Sequence, residues 1–388
     1  MTLTSLTCPR PVRRSSRPTA LDFDLLDAAV RLFDEGKPLQ SLEKVFEHLF
    51  PGHPTVDLAK EPFSFAQGSS RVTVSIENDE LWVRVPFVHL AAGSNSTAAL
   101  RYLLTRLSGS GQLHQPRLHG DDVHIEFHDR LSRLHPMKLL ETLRQAPVQA
   151  DQNDDWMADQ FGVTPLLREP IESVSQDELD RSEIIWRAHF VEVEELLKES
   201  QRKRSMFFLN ELSAYALYHL RFSLPLTGAL HARIAESATT FNEPDLDPSK
   251  REAALAKCVK EMKAVTREEL EKCLGHAVYS LNPLAEGTSA TLTTCLGGEY
   301  KETLVKLRSA GKHIDAALAL FGTYSYLLGR FAWSLEIEEL LLAGLAQATG
   351  KPWREAASEL LLQAKEILDA IEEDEDARES ANEEQVAR

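Results

Sequence analysis

The chain has 388 residues, 43% hydrophobic and 27% charged, which is long enough for two or three domains with buried cores. A formal net charge of −17 speaks against nucleic-acid binding. No apolar run approaches the ~18–20 residues that span a bilayer, so no membrane insertion is expected.

Residues 1–20 carry Arg10, Arg13, Arg14 and Arg17 with no apolar stretch behind them, which reads as a disordered basic arm and not as a secretory signal. From Leu21 to Glu35, Phe23, Leu26, Val30 and Phe33 recur at helical spacing; Leu42, Val45, Phe46 and Leu49 mark a second short helix. The period then becomes two. Val72, Val74 and Ile76 precede Asn78-Asp79, and Leu81, Val83 and Val85 follow it, a hairpin with one buried face. Pro86 has no N–H for a ladder, so the strand should end or reach a sheet edge there.

Leu100, Leu103, Leu104 and Leu107 line the next helix, which stops at Ser108-Gly109. Gln115 to Leu118 and Asp122 to His128 form a second hairpin around His119-Gly120-Asp121. A helix opens at Pro136 with Met137, Leu140 and Leu143 on one face, and Pro147 should kink or break it.

Beyond Pro165 and Pro170 the strand signals cease. Helices are expected over Ser175–Gln201, capped by Ser175 or Asp177, and over Met206–Phe222. A long charged helix should follow from Ser249 to Leu274, then a Gly/Thr/Ser-rich connection from Asn282 to Gly298. Four more helices, Tyr300–Ala310, His313–Phe331, Glu336–Ala348 and Trp353–Ile371, complete an all-α domain over residues 171–371. Residues 372–388 hold eight acids and two bases and read as a disordered acidic tail. Cys8, Cys258, Cys273 and Cys295 form no CxxC; Cys258 and Cys273 lie about four turns apart on one expected helix, too far for a disulfide. Sparse thiols of this kind suit a reducing cytoplasm.

Residues 21–165 resemble the YbjN family, whose domain has the type III secretion chaperone fold. The resemblance rests on Leu81-Trp-Val-Arg-Val-Pro-Phe-Val, Asn95, Ala99-Leu-Arg-Tyr-Leu-Leu104, Val123-His-Ile-Glu-Phe127 and the ending Asp159-Gln-Phe-Gly162. It implies an α+β fold, here a chaperone-like helix and antiparallel-sheet domain followed by an all-α helical domain. It also implies homodimerisation and binding of another protein through an exposed sheet face or groove, with no catalysis and no cofactor.

Among candidate chemistries, His124, Glu126 and His128 alternate on one strand face and could bind a divalent metal, but the buried partners Val123, Ile125 and Phe127 make them the wet face of the strand. Gly297-Gly298 and Gly109-Ser-Gly111 lack a phosphate-loop context. Trp82 and Phe87, with Arg84 between them, are assigned to an open sheet surface able to hold a partner segment. The resulting expectation is a non-enzymatic, cytoplasmic, chaperone-like or adaptor protein, with no catalytic, cofactor or metal residues. The alternatives are a structural or regulatory scaffold acting through the helical domain, and a metal-dependent enzyme using His124, Glu126 and His128.

Overall fold

The computed structural model describes residues 3–14, 23–51, 58, 60–109, 112–241 and 246–386, with side chains as far as Glu372 except that of Phe23. The N-terminal unit opens with α1 (Phe23–Asp34) and α2 (Pro38–Leu49), the latter started by a proline that has no N–H to leave unpaired. Strands β1 (Phe63–Gln67), β2 (Ser70–Glu77) and β3 (Glu80–His89) follow, then α3 (Ser96–Tyr102), which widens into a π-helical turn over Leu103–Leu107. Strands β4 (Gln115–His119) and β5 (Asp122–Arg130) and helix α4 (Pro136–Phe161) complete the unit.

The sheet is antiparallel in the order β1-β2-β3-β5-β4, with Thr164–Pro165 added beside the end of β3. Both expected hairpins form, and the β2–β3 turn uses Asn78 and Asp79 at φ 51° and 65°, residues whose short polar side chains tolerate that conformation. Strand β1 went unnoticed in the sequence although Phe63 and Phe65 alternate with Ser64 and Ala66.

One sheet face packs on helices. Val72, Val74, Leu81, Val83, Val85, Ile125 and Phe127 are buried against Leu139, Leu143 and Ala146 of α4, and Val45 and Phe46 of α2 share that core. One expectation about proline fails here, and a second fails as to a break in the helix. Pro86 neither ends β3 nor lies at an edge: β3 is a central strand, and the pairing with β5 slips by one residue between Pro86 and Val88. That bulge absorbs the missing N–H and turns both Phe87 and Val88 inward. Pro147 does not break α4, which runs unbroken with Pro147 buried inside it. The proline leaves the Leu143 carbonyl without its helical partner, a cost of about 3 kcal/mol. Burial of Leu139, Leu143 and Ala146 before it, and of Ala150 and Met157 after it, offsets that cost.

The rest of the chain is mostly helical, with α5 (Gln176–Lys203), α6 (Met206–Ser223), α7 (Gly228–Phe241), α8 (Pro248–Lys263), α9 (Arg267–Lys272), α10 (Ser289–Leu296), α11 (Gly298–Ser309), α12 (His313–Arg330), α13 (Leu335–Ala348) and α14 (Trp353–Val386). It is not the all-α unit expected: Glu172–Ser173 pairs antiparallel with Gly275–His276, and Ala285–Glu286 pairs parallel with Phe331–Ala332. Ser175 caps α5 in a reciprocal capping box with Glu178. The single helix expected over Ser249–Leu274 is two, because Thr266 and Glu269 form a second capping box that starts α9. Helices α7 and α10 occupy stretches read as loop or left unassigned. At the centre, α12 crosses α6 so closely that a Cβ at Gly322 would sit 2.7 Å from the Glu211 carbonyl oxygen.

Both termini depart from expectation. The segment before α1 is no free arm across residues 3–14: Leu6, Cys8 and Val12 are buried in the helical core. Gly350 N–H donates to Leu6 O, Thr7 N–H to Glu192, Cys8 N–H to Thr349, and Val12 N–H to Ser223 O. Apolar side chains at 6, 8 and 12 outweigh Arg10 and Arg14, which are exposed, and Arg13, which donates to the Arg221 carbonyl. Residues 15–20 of that stretch lie outside the described residues. At the other end, α14 continues to Val386 through the acidic stretch expected to be disordered.

The molecule therefore has two apolar clusters. One belongs to the sheet unit, while the other joins residues 3–14 to the helices beyond residue 171. They meet where the β1–β2 turn enters the helical half. Gln67 exchanges side-chain bonds with the backbone of Leu281, Gly68 N–H donates to Val278 O, and Ser69 donates to Asp151 and Asp154 of α4.

Candidate functional site

Among the described residues, the sheet's second face bears Thr73, Trp82 and Arg84, all half-buried, and the exposed His128. Register across β2, β3 and β5 aligns Ser75, Trp82 and His128 in one row and Thr73, Arg84 and Glu126 in the next. Trp82 lies flat between two neighbours. The His128 ring stacks on it at 4.2 Å and 14°, and the Arg84 guanidinium carbon is 4.4 Å from its ring centre. A guanidinium over an indole face is held by the ring quadrupole, and stacking adds to it.

Arg84 is itself fixed. It grips Glu77 with both terminal nitrogens, one at 3.0 Å from Oε2, and approaches Glu126 Oε1 at 3.9 Å. Bonds from Arg84, then from Ser75, hold the Glu77 carboxyl down at about 2. Trp82 is thus presented with its rotamer pinned on both sides, an anchor that loses little freedom on binding.

Of the residues picked from the sequence, Trp82 and Arg84 come together here and Phe87 does not. Phe87 is only 2% exposed, in the core under the sheet, because it shares the odd-numbered parity of Leu81, Val83 and Val85 and is turned in by the bulge. His124, Glu126 and His128 share the outer face but are drawn to separate partners. Glu126 lies buried beneath Arg84 and beside His119, whose Nε2 is 2.9 Å away; His128 faces Trp82 and Glu80. The assignment of all three to the wet face therefore holds for His128 and not for Glu126. Burial lowers the His124 pKa, and its Nδ1 is buried without a hydrogen-bond partner. Among the described residues no group of three His, Cys, Asp or Glu side chains could hold a metal ion.

The sequence did not single out β4. Among the described residues it pairs with β5 alone and so stands at an edge of the sheet, and Leu118 on it is 53% exposed. His119, which ends β4, joins the Trp82 face through Glu126. The hairpin turn alone fixes the β4–β5 register, but bringing that pair beside β3 is a long-range event that the local pattern does not encode.

Compared with known proteins, the chain matches no family model and no curated protein. Fold and site define it as an α+β protein, a small antiparallel sheet unit built into a larger helical one. Among the described residues no helix is long and apolar enough to cross a membrane.

Proposed function

We propose that the chain is a non-enzymatic, chaperone-like or adaptor protein that holds an extended segment of another protein on the outer face of its sheet, with β4 as the pairing edge. One observation carries this: Trp82, clamped between Arg84 and His128, lies half-buried on the sheet face opposite the one packed on the helices. A guest strand beside β4 would gain main-chain hydrogen bonds and meet Leu118, which pairs with core-facing Val123, whereas Trp82 on the opposite face would be met where the guest chain continues across the sheet. The YbjN-like pattern of residues 21–165 supports the same mode and adds a homodimer to it. Four unpaired cysteines fit a cytoplasmic setting, and the acidic balance favours a basic guest.

The test is affinity purification from the native host, wild type beside Trp82→Asp, with bound proteins identified by mass spectrometry and the variant's fold checked by circular dichroism. The expected result is one stoichiometric partner, lost from Trp82→Asp and crosslinked by a photoreactive residue in place of Leu118. Retention of the partner by a folded Trp82→Asp, or no partner on the wild type, overturns the proposal. Point variants are the right tool. Removing the helical half would leave Leu6, Cys8 and Val12 without the core they belong to.

A further inference from the structure

A cavity of about 430 Å³ opens where residues 12–14, α4, the α6–α7 connection and the loop over residues 275–284 meet. That size is within the range of small-molecule sites, roughly 300–1,000 Å³. It lies far along the chain from the Trp82 face, shares no residue with it, and is absent from every motif the sequence displays.

Its walls divide by chemistry. Leu224, Pro225, Leu226 and Leu284 supply an apolar side, whereas Arg13, Arg221 and His231 supply nitrogen donors. The cations are built in. Arg13 is carried by residues 3–14, whose backbone bonds Ser223 O, and it spends one nitrogen on Arg221 O at 3.0 Å. Arg221, near the end of α6, has its Nε buried with no hydrogen-bond partner. Its guanidinium packs over the Tyr218 ring, 5.5 Å from the ring centre, which holds the cation in place at the cavity wall.

The acids nearby are engaged. Glu172 is paired with Arg14, and Asp151 accepts from Ser69 N–H and the Tyr279 hydroxyl. Glu338 contributes to the field at Arg13. The net field at the donor end is still positive. Burial, then Arg221 and Arg13, push the His231 imidazole down to about 3, and burial with Arg330 and Arg13 brings Arg221 down to about 10 despite Tyr218. His231 is therefore neutral, able to donate one N–H without adding charge.

We infer that this cavity binds a small organic anion, its carboxylate or phosphate on Arg221, Arg13 and His231 and its apolar body against Leu224, Pro225, Leu226 and Leu284. Arginine suits the task because its planar fork matches both oxyanions. The two anion types share that chemistry and are separated by experiment.

Isothermal titration calorimetry at low ionic strength would compare phenyl phosphate, benzoate and neutral benzyl alcohol on the full chain. The expected result is one site per chain for phenyl phosphate or benzoate, the tighter naming the headgroup, with benzyl alcohol at least tenfold weaker. Arg221→Gln should weaken the anion at least tenfold, as should Arg13→Gln, and Lys306→Gln at an exposed position of α11 should leave it unchanged. Absence of binding by both anions, equal binding of benzyl alcohol, or an unaltered affinity in folded Arg221→Gln and Arg13→Gln overturns the inference. The wild-type comparison of charged and neutral probes decides it even where a variant folds poorly.

Discussion

Glu211 shows how a single side chain responds to the packing of this protein. It lies on α6 where Gly322 brings α12 against the backbone, and its carboxylate accepts from the Tyr300 hydroxyl at 3.4 Å. Burial raises its pKa to about 7, Tyr300 opposing only in part. The unfolded value is about 4.3, so folding favours the protonated acid. That contribution is complete below about pH 4.3 and is lost as pH rises through about 7. Glu211→Gln keeps the neutral, hydrogen-bonding form at every pH. It is expected to stabilise the protein by about 1–3 kcal/mol at pH 8 and to change little at pH 5, read from urea unfolding at both. An equal effect at the two pH values would contradict the burial argument. Trp82 makes the same point on the surface: its environment, more than its type, turns it into a presented anchor.

Among the elements, the segment over residues 3–14 is the least expected. It has no regular structure, yet it threads between α5, α6 and the α13–α14 connection by backbone bonds and three apolar side chains. Leu6 is among the largest fully buried side chains of the molecule. Leu6→Ala should therefore cost about 2–5 kcal/mol, as a core leucine does, with a fall in melting temperature that a surface site such as Leu104→Ala does not share. A change within about 0.5 kcal/mol would mean that the segment is not seated. Helix α4 teaches the complementary lesson. An interior proline predicts a break when local bonding is considered alone, but tertiary burial on both sides of Pro147 keeps the helix whole.

At the scale of the whole molecule, the β1–β2 turn is the joint between sheet and helices. Gly68 takes φ 65° there, and a Cβ would fall 2.3 Å from Asp151 Oδ1, the oxygen that accepts from Ser69 N–H. Gly68→Ala meets both strain and collision. It is expected to destabilise the protein by about 2–4 kcal/mol in denaturant unfolding, several times the effect of alanine at open Gly120. Similar values at the two glycines would show that the joint yields freely. Because Gln67 and Gly68 bond across this joint to Leu281 and Val278, the two cores should lose structure together in the wild type.

How much of this was legible depended on range. Alternation over Val72–Val85 and around Ile125, the Asn78-Asp79 turn, the capping of α5 at Ser175 and the helical spacing of α6, α12 and α13 are short-range signals, and they sufficed for the α+β class. Even Phe87 was legible, since its parity with Leu81 already assigned it to the buried side. Tertiary structure decided the rest: the stacking of His128 on Trp82, the burial of Glu126 under Arg84, the seating of residues 3–14 among helices that begin some 160 residues later, and the meeting of Arg13 with Arg221. Local pattern determines which face of an element is apolar, because side-chain geometry repeats every two or 3.6 residues. Which elements then meet is set by the cores they bury together, and so the clamped tryptophan and the cationic cavity exist only once distant segments are in place.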